Sequence, residues 1–189
     1  MVGFGPADLG SNPSRATSNI SRCPYCEIQF RMAVMNAGTS WSRLMNPLRL
    51  AEPLSDMSIK TIAVLGAGQM GNGITQVAAC AGYAVTMVDI EQSFVDRGLA
   101  TIEKSLAKLV SKERMTQEDA DAARGRITTA IDRQACADCD LVVEAVPEIL
   151  SLKQEIFAEL DQICKPETIL ASNTSSISIS TIAEATSRP

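Results

Sequence analysis

Six residues, Gly66-Ala67-Gly68-Gln69-Met70-Gly71, have the spacing of a glycine turn that can hold a diphosphate. Gly66 permits a tight turn out of a strand. Gly68 has no side chain, so backbone can approach a pyrophosphate, and Gly71 lets the following helix pack closely on the strand. The start of that helix adds free N–H groups and the positive end of a helix dipole. Asp89 lies 21 residues after Gly68, at the end of the next apolar run. Its carboxylate can accept both hydroxyls of an adenosine ribose and would repel a 2′-phosphate, which points to NAD rather than NADP. FAD or a bare nucleotide could use the same turn, and a Gly-rich turn beside a solvated acid is the bland alternative.

Ser172-Asn173-Thr174-Ser175-Ser176 is the second polar cluster. It follows a short apolar run, so it belongs at the carboxyl end of a sheet, where open α/β folds bind ligands. Its hydroxyls and amide suit a carbonyl or an alkoxide. A polar loop capping the next helix is the competing reading. Two CxxC pairs occur, Cys23-Pro24-Tyr25-Cys26 and Cys136-Ala137-Asp138-Cys139. Their separation is far outside zinc-ribbon spacing, and no metal site is expected. Cys80 and Cys164 fall on apolar helix faces and read as small core residues. There is no histidine in the 189 residues, so imidazole bases, imidazole metal ligands and Ser-His-Asp triads are excluded within them.

The elements that must position these residues alternate. Lys60–Leu65 reads as a strand running into the glycine turn, and a helical pattern follows as far as Gly82. Tyr83–Asp89 is a second strand. Ser93–Lys112 is a long amphipathic helix with Leu99, Ile102, Leu106 and Leu109 at helical spacing. Thr116–Arg124 is a shorter helix, with Thr116 as N-cap and Asp119 three residues on. Arg126–Ala130, Asp140–Val146 and Thr168–Ser172 read as further strands, the last two as buried ones. Ile149–Ile163 and Ser178–Ala185 read as helices. This alternation implies an α/β fold of the Rossmann type: a doubly wound, mostly parallel sheet with right-handed crossovers.

Residues 1–56 differ in character. They hold five Arg, no Lys, four acids and five of the eight Pro, and hydrophobic periodicity is weak apart from a short helical pattern around Phe30–Val34. This leader is expected to be poorly ordered. A transit peptide fits badly with Asp8 and Glu27, and no long apolar segment marks a secretory signal. The third explanation is that Met57 is the natural start and the leader is upstream sequence included by a wrongly assigned start. Residues 57–189 are acidic, with eighteen acids against twelve bases. A net charge of -5 without a Lys/Arg block, with 4% aromatics, argues against nucleic acid and anionic membranes as partners. No apolar run reaches 18 residues, so no spanning helix is expected. The acidic, thiol-tolerant body suits a reducing cytoplasm.

The block from Ile59 onward resembles the 3-hydroxyacyl-CoA dehydrogenase family, particularly its bacterial 3-hydroxybutyryl-CoA dehydrogenase members. The resemblance is carried by IAVLGAGQMGNGITQVAACAGYAVTMVD at 62–89, DLVVEAVPEILSLKQEIFAELD at 140–161 and TILASNTSSISISTIA at 168–183. Many dinucleotide-binding proteins share the first block, whereas the other two are specific to this family. The resemblance implies an NAD-dependent oxidoreductase that reversibly oxidises the 3-hydroxyl of an acyl-CoA, in fatty-acid or butyrate metabolism. By position it implies that Gly66 to Gly71 hold the pyrophosphate and Asp89 the adenosine ribose. Glu148 and Lys153 match residues lining the cofactor and CoA sites. Ser105 and Lys112 match positions that touch CoA; being seven apart, they share a helical face. Ser175 matches the active-site serine that hydrogen-bonds the reacting oxygen, and Asn173 sits in the same turn. Taken alone, Ser105 and Lys112 also fit a solvated face, and Glu148 also fits simple dipole stabilisation at a helix start.

The family's catalytic histidine lies in a G-x-H-F-F-N-P-like segment beyond the position of Ser175. That segment, the glutamate that orients its histidine and the helical domain that closes the cleft and forms the homodimer have no counterpart in these residues. The chain is therefore expected to be a fragment: the cofactor half of a dehydrogenase. A missing general base alone costs about 10²–10⁴-fold in rate, so little activity is expected from it alone. A non-catalytic NAD-binding module and a β-hydroxyacid-type dehydrogenase are the alternatives.

Overall fold

A computed structural model describes residues 59–188. The expected leader, its helix around Phe30–Val34 and the Cys23/Cys26 pair lie outside the described residues. Five strands alternate with helices: β1 (Thr61–Leu65), α1 (Gln69–Cys80), β2 (Ala84–Val88), α2 (Gln92–Ser111), α3 (Gln117–Gly125), β3 (Ile127–Ala130), β4 (Leu141–Glu144), α4 (Leu150–Ile163), β5 (Ile169–Ser172) and α5 (Ile179–Ala183). A 3₁₀ turn, Arg133–Cys136, precedes β4. The strands form one sheet in the order β3-β2-β1-β4-β5. Every pairing is parallel, so the doubly wound, parallel α/β reading holds.

Period-two alternation splits the sheet's side chains between two faces. Ile62, Val64, Val85, Met87, Leu141 and Val143 pack on one face with Ala78 and Ala79 of α1, Ile102 and Leu106 of α2, and Ala120 and Ala123 of α3. Ala63, Leu65, Val88 and Val142 pack on the other face with Ile156 and Leu160 of α4 and with Cys136, Cys139 and Cys164. Helices cover both faces, which is why β1 reads as an unbroken apolar run rather than an alternating one.

The helix boundaries follow local chemistry. Gly82, at φ +99°, reverses the chain after α1 in a conformation that L side chains rarely adopt. Thr116 Oγ1 accepts the Asp119 N–H at 3.0 Å, the expected N-cap of α3. Two features depart from the sequence reading. The 3₁₀ turn was not anticipated; Asp132 caps it through the Gln134 N–H at 2.8 Å, and it buries Cys136. β5, expected to be a buried strand, is half-buried along its whole length, because it is the outermost strand of the sheet. Asp140 ties the two central strands at their start, accepting from Lys60 N at 2.7 Å and from Thr61 N and Oγ1 at 2.9 Å.

Candidate cofactor and substrate site

Strand order reverses direction between β1 and β4, so the connections after these strands leave on opposite sides and open a crevice at their carboxyl ends. Register places Ala130, Val88, Leu65, Glu144 and Ser172 in one row across that edge. The residues after this row are therefore the ones brought to the crevice: Gly66, Asp89, Ala145 and Asn173. A cavity of about 1360 Å³ opens there. Its wall includes Gly66, Ala67, Gly68, Gln69, Met70 and Asp89 on one side and Ala145, Val146 and Pro147 on the other.

The turn is shaped by close backbone approach. Gly66 has φ +99°, and a Cβ there would lie 2.7 Å from the Ala145 carbonyl oxygen. A Cβ on Gly71 would lie 1.6 Å from the Gly66 carbonyl oxygen. At Gly68, by contrast, a Cβ would meet nothing within 4 Å. The turn is thus packed tightly beneath and open at Gly68, which leaves room for a diphosphate against the backbone. No side chain caps the first turn of α1 and that turn holds no acid, so its amides and dipole stay available to an anion.

Asp89 Oδ2 accepts the Ala67 N–H at 2.7 Å, and Oδ1 accepts the Ile90 N–H at 2.7 Å. A carboxylate has about four acceptor sites, so capacity for two ribose hydroxyls remains. Ile90 and Ile131, 70% and 56% exposed, follow β2 and β3 at the same end of the cavity. Arg97 also lines it, with its guanidinium 4.8 Å over the Phe94 ring. These residues fit an adenosine: acceptors for its sugar and apolar surface for its base.

Gly98 of α2 was missed by sequence reasoning. A Cβ there would lie 2.9 Å from the Ala67 carbonyl oxygen, so α2 rests directly against the glycine turn. The available signal was a glycine inside a strong helical pattern, which usually has a packing reason.

The second part of the site is a polar network beside the crevice. Lys153, in the first turn of α4, is wholly buried, as is Glu144 at the end of β4. The Lys153 ammonium lies 2.7 and 2.8 Å from the two Glu144 oxygens and 3.2 Å from Glu148 Oε2. Glu144 also accepts from Val146 N at 2.7 Å and Ser172 Oγ at 2.5 Å. Glu148 Oε1 accepts from Thr174 Oγ1 and from Ser176 Oγ at 2.9 Å. The Thr174 hydroxyl above all, then the Ser176 hydroxyl and the Lys153 ammonium, holds the Glu148 carboxyl down at about 2. Ser175 and Asn173 are both exposed. Asn173 donates its backbone N–H to the Glu144 carbonyl at 2.7 Å. Ser175 Oγ has no partner among the described residues.

The structure therefore brings Gly66–Gly71 and Asp89 together at the crevice, with Glu148, Lys153 and Asn173 in an adjoining network and Ser175 in the same loop but outside its hydrogen bonds. Lys153 does not line the cavity; its charge is spent inside the protein. Ser105 and Lys112 are not brought to the cavity either. Ser105, half-buried, lies in the far half of α2, and Lys112, exposed, is the capping residue just past its C-terminal end, so the expected helix to Lys112 stops one residue short. Glu144, the buried partner that orders the network, was missed, because a strand-end acid in an apolar run carries no sign of what it will face. No group of three or more potential metal ligands occurs among the described residues. No helix there is long and apolar enough to cross a membrane.

Comparison with known proteins gives a consistent picture. The family profile described as "3-hydroxyacyl-CoA dehydrogenase, NAD binding domain" matches residues 61–189. A probable 3-hydroxybutyryl-CoA dehydrogenase of Deinococcus radiodurans is 53% identical over 126 residues, covering 67% of this chain and 45% of that protein. The 3-hydroxybutyryl-CoA dehydrogenase of Bradyrhizobium diazoefficiens is 49% identical over 131 residues, covering 69% and 45%. The crystal structure of (S)-3-hydroxybutyryl-CoA dehydrogenase PaaH1 from Ralstonia eutropha superposes with a TM-score of 0.68 at 44% identity, covering 69% of this chain and 46% of that one. The chain thus spans less than half the length of these relatives.

Proposed function

The chain belongs to the 3-hydroxyacyl-CoA dehydrogenase family through that family's NAD-binding domain, and on that premise we propose that it supplies the cofactor half of an enzyme that reversibly oxidises the 3-hydroxyl of an acyl-CoA. The cofactor is NAD, which when bound supplies the hydride acceptor for C3 of the substrate. The observation that carries the reading is the glycine turn at the β1/β4 divergence, closed beneath Gly66 and Gly71 and open at Gly68, with Asp89 beside it.

Each residue has a role set by its surroundings. The open backbone at Gly68 and the uncapped amides of α1 take the pyrophosphate. Ala67, Gln69 and Met70 complete the cradle, and Gly66 and Gly71 let it close on the sheet. Asp89 takes the adenosine ribose with its remaining acceptor capacity and repels a 2′-phosphate. Ser175 Oγ, exposed and without a partner among the described residues, donates to the substrate oxygen, with Asn173 beside it. Glu148 orders their loop, and Lys153 acts from within. Ser105 and Lys112 meet the CoA moiety on the outer face of α2, where the exposed Lys112 ammonium suits a phosphate.

Oxidation of the hydroxyl also requires a proton acceptor. The 189 residues contain no histidine, so these residues alone turn over acetoacetyl-CoA slowly, consistent with the about 10²–10⁴-fold that a general base contributes. A homodimer and a cytoplasmic setting complete the proposal; they follow from the family resemblance and the reduced thiols.

The test is a fluorescence titration of the purified chain with NADH and, separately, NADPH. Saturable NADH binding with NADPH at least about tenfold weaker, the effect of one like-charge contact, is expected. A chain that is folded by circular dichroism yet binds neither would overturn the reading.

A further inference from the structure

We propose that the Arg133–Glu159 ion pair reads the hydrogen-bonding edge of the cofactor's base and selects adenine over a 6-oxo purine. The proposal rests on the reading of the cavity as an NAD site and adds a specificity determinant to it.

The order of the strands sets the order of the ligand's parts. The glycine turn ends β1, Asp89 follows β2 and Ile131 follows β3, and these three strands are consecutive neighbours in the sheet. β3 lies two strand spacings, about 10 Å, from β1. With the pyrophosphate at β1 and the ribose at β2, the base belongs at the end of β3. The cavity there opens on the α4 face, since Leu65 and Val88, which line it, pack with α4. Ile90, Ile131, Val146, Leu152 and Ile156 make this lobe apolar, which suits a purine ring.

Arg133 and Glu159 line the same cavity. Glu159 stands seven residues after Leu152 and three after Ile156, so it continues the lining face of α4. Arg133 opens the 3₁₀ turn on the opposite wall. An ion pair between Arg133 Nη1 and Glu159 Oε2 joins the two walls. The side chains are 23% and 42% exposed, so a ligand can reach both. The pair occupies one guanidinium N–H and one carboxylate oxygen. The remaining donors of Arg133, and Glu159 Oε1, have no partner among the described residues. Asp132, the other acid on this wall, turns Oδ1 to the Gln134 N–H at 2.8 Å.

A free acceptor held beside free donors matches one kind of base edge. Adenine carries a 6-amino donor next to ring-nitrogen acceptors, whereas a 6-oxo purine carries an acceptor at that position. Glu159 Oε1 accepts from the 6-amino group, and an Arg133 N–H donates to the neighbouring ring nitrogen. An oxygen at position 6 would face the Glu159 carboxylate, acceptor against acceptor. The ion pair fixes the planar guanidinium and so keeps both groups in one orientation. A partly exposed pair of this kind adds little stability, so its value lies in what it presents to the lobe.

The experiment titrates the 189-residue chain with NADH and with its base analogue, reduced nicotinamide hypoxanthine dinucleotide, following nicotinamide fluorescence. NADH is expected to bind about tenfold or more tighter, the discrimination of one two-point base contact. Glu159→Gln is expected to narrow the difference to about twofold or less, because an amide can turn either its oxygen or its NH₂ to position 6. Its preference for NADH over NADPH stays, since Asp89 sets that.

Equal binding of the two dinucleotides by the unmodified chain overturns the proposal and leaves the NAD reading standing. That comparison holds whether or not the variant folds. A folded Glu159→Gln chain that keeps the full difference also overturns it. A pair that only braced the two walls would weaken both ligands alike in the variant and leave their ratio unchanged. A folded chain that binds neither dinucleotide overturns the NAD reading, and this proposal with it.

Discussion

Asp89 Oδ2 accepts the Ala67 N–H at 2.7 Å, joining the end of β2 to the glycine turn across 22 positions of sequence. The acid assigned to the ribose therefore also holds the turn assigned to the pyrophosphate. Asp89→Ser is expected to narrow the preference for NADH over NADPH by removing the like charge. It is also expected to weaken NADH itself, because the Ala67 N–H loses a charged acceptor, a loss of about 1–3 kcal/mol. Paired titrations with both dinucleotides check this. Unchanged NADH affinity would show that the Ala67 bond does not organise the turn.

A methyl group at Gly98 has no room, since its carbon would lie 2.9 Å from the Ala67 carbonyl oxygen and 3.0 Å from Ala67 Cβ. Gly98→Ala pushes α2 off the turn, at about 1–3 kcal/mol of overpacking. Melting temperature and NADH affinity are expected to fall together. Gly68→Ala is the contrasting variant: nothing lies within 4 Å of its added methyl, so the fold is kept and only ligand binding suffers.

The Glu148 carboxyl is expected to titrate at about 2 instead of 4.5, held there chiefly by the Thr174 hydroxyl. A depressed carboxyl gives stability that is full above the unfolded value and is lost as pH falls from about 4.5 toward about 2. Carboxyl-carbon NMR across that range checks the midpoint. Thr174→Val is expected to raise it, and no change on that substitution would discard the Thr174 bond as its cause.

Burial pushes the Cys136 thiol up to about 12, with Cys139 and Cys164 adding to the effect. Burial likewise raises Cys139 and Cys164. All three thiols stay protonated at pH 8 and react poorly, since the thiolate is the nucleophile. Iodoacetamide labelling read peptide by peptide is expected to spare these three in the native chain and to modify them in denaturant. Rapid native labelling of Cys136 would contradict its placement in the core beside Leu160.

The strands and helices were legible because each carries its own period and its own stop signal. The unbroken apolar run 62–65 marks a strand covered on both faces. The glycine turn was legible for a stronger reason. Gly71 is demanded by backbone approach to Gly66, a few positions earlier, so spacing alone expresses that constraint, and the tight turn at Gly66 is a local backbone requirement even though the atom that crowds it belongs to distant Ala145. Asp89 follows from the same logic, since a parallel neighbour of β1 must end beside it. The loop 172–176 was legible as a polar cluster at a sheet edge, but not in its division of labour.

That division is a tertiary matter. Glu144 sits in an apolar run and Lys153 in an amphipathic helix, and neither neighbourhood shows that they meet. They meet because β4 pairs with β5 in a register that sets Glu144 beside Ser172, while the crossover folds the first turn of α4 back over that row. Gly98 and the edge position of β5 were hidden for the same reason: both depend on which elements become neighbours. Local sequence specifies dihedral preference, period and the close contacts of adjacent residues. The partners of a buried charge and the spacing between the cavity and Ser105 or Lys112 are decided only when distant segments pack.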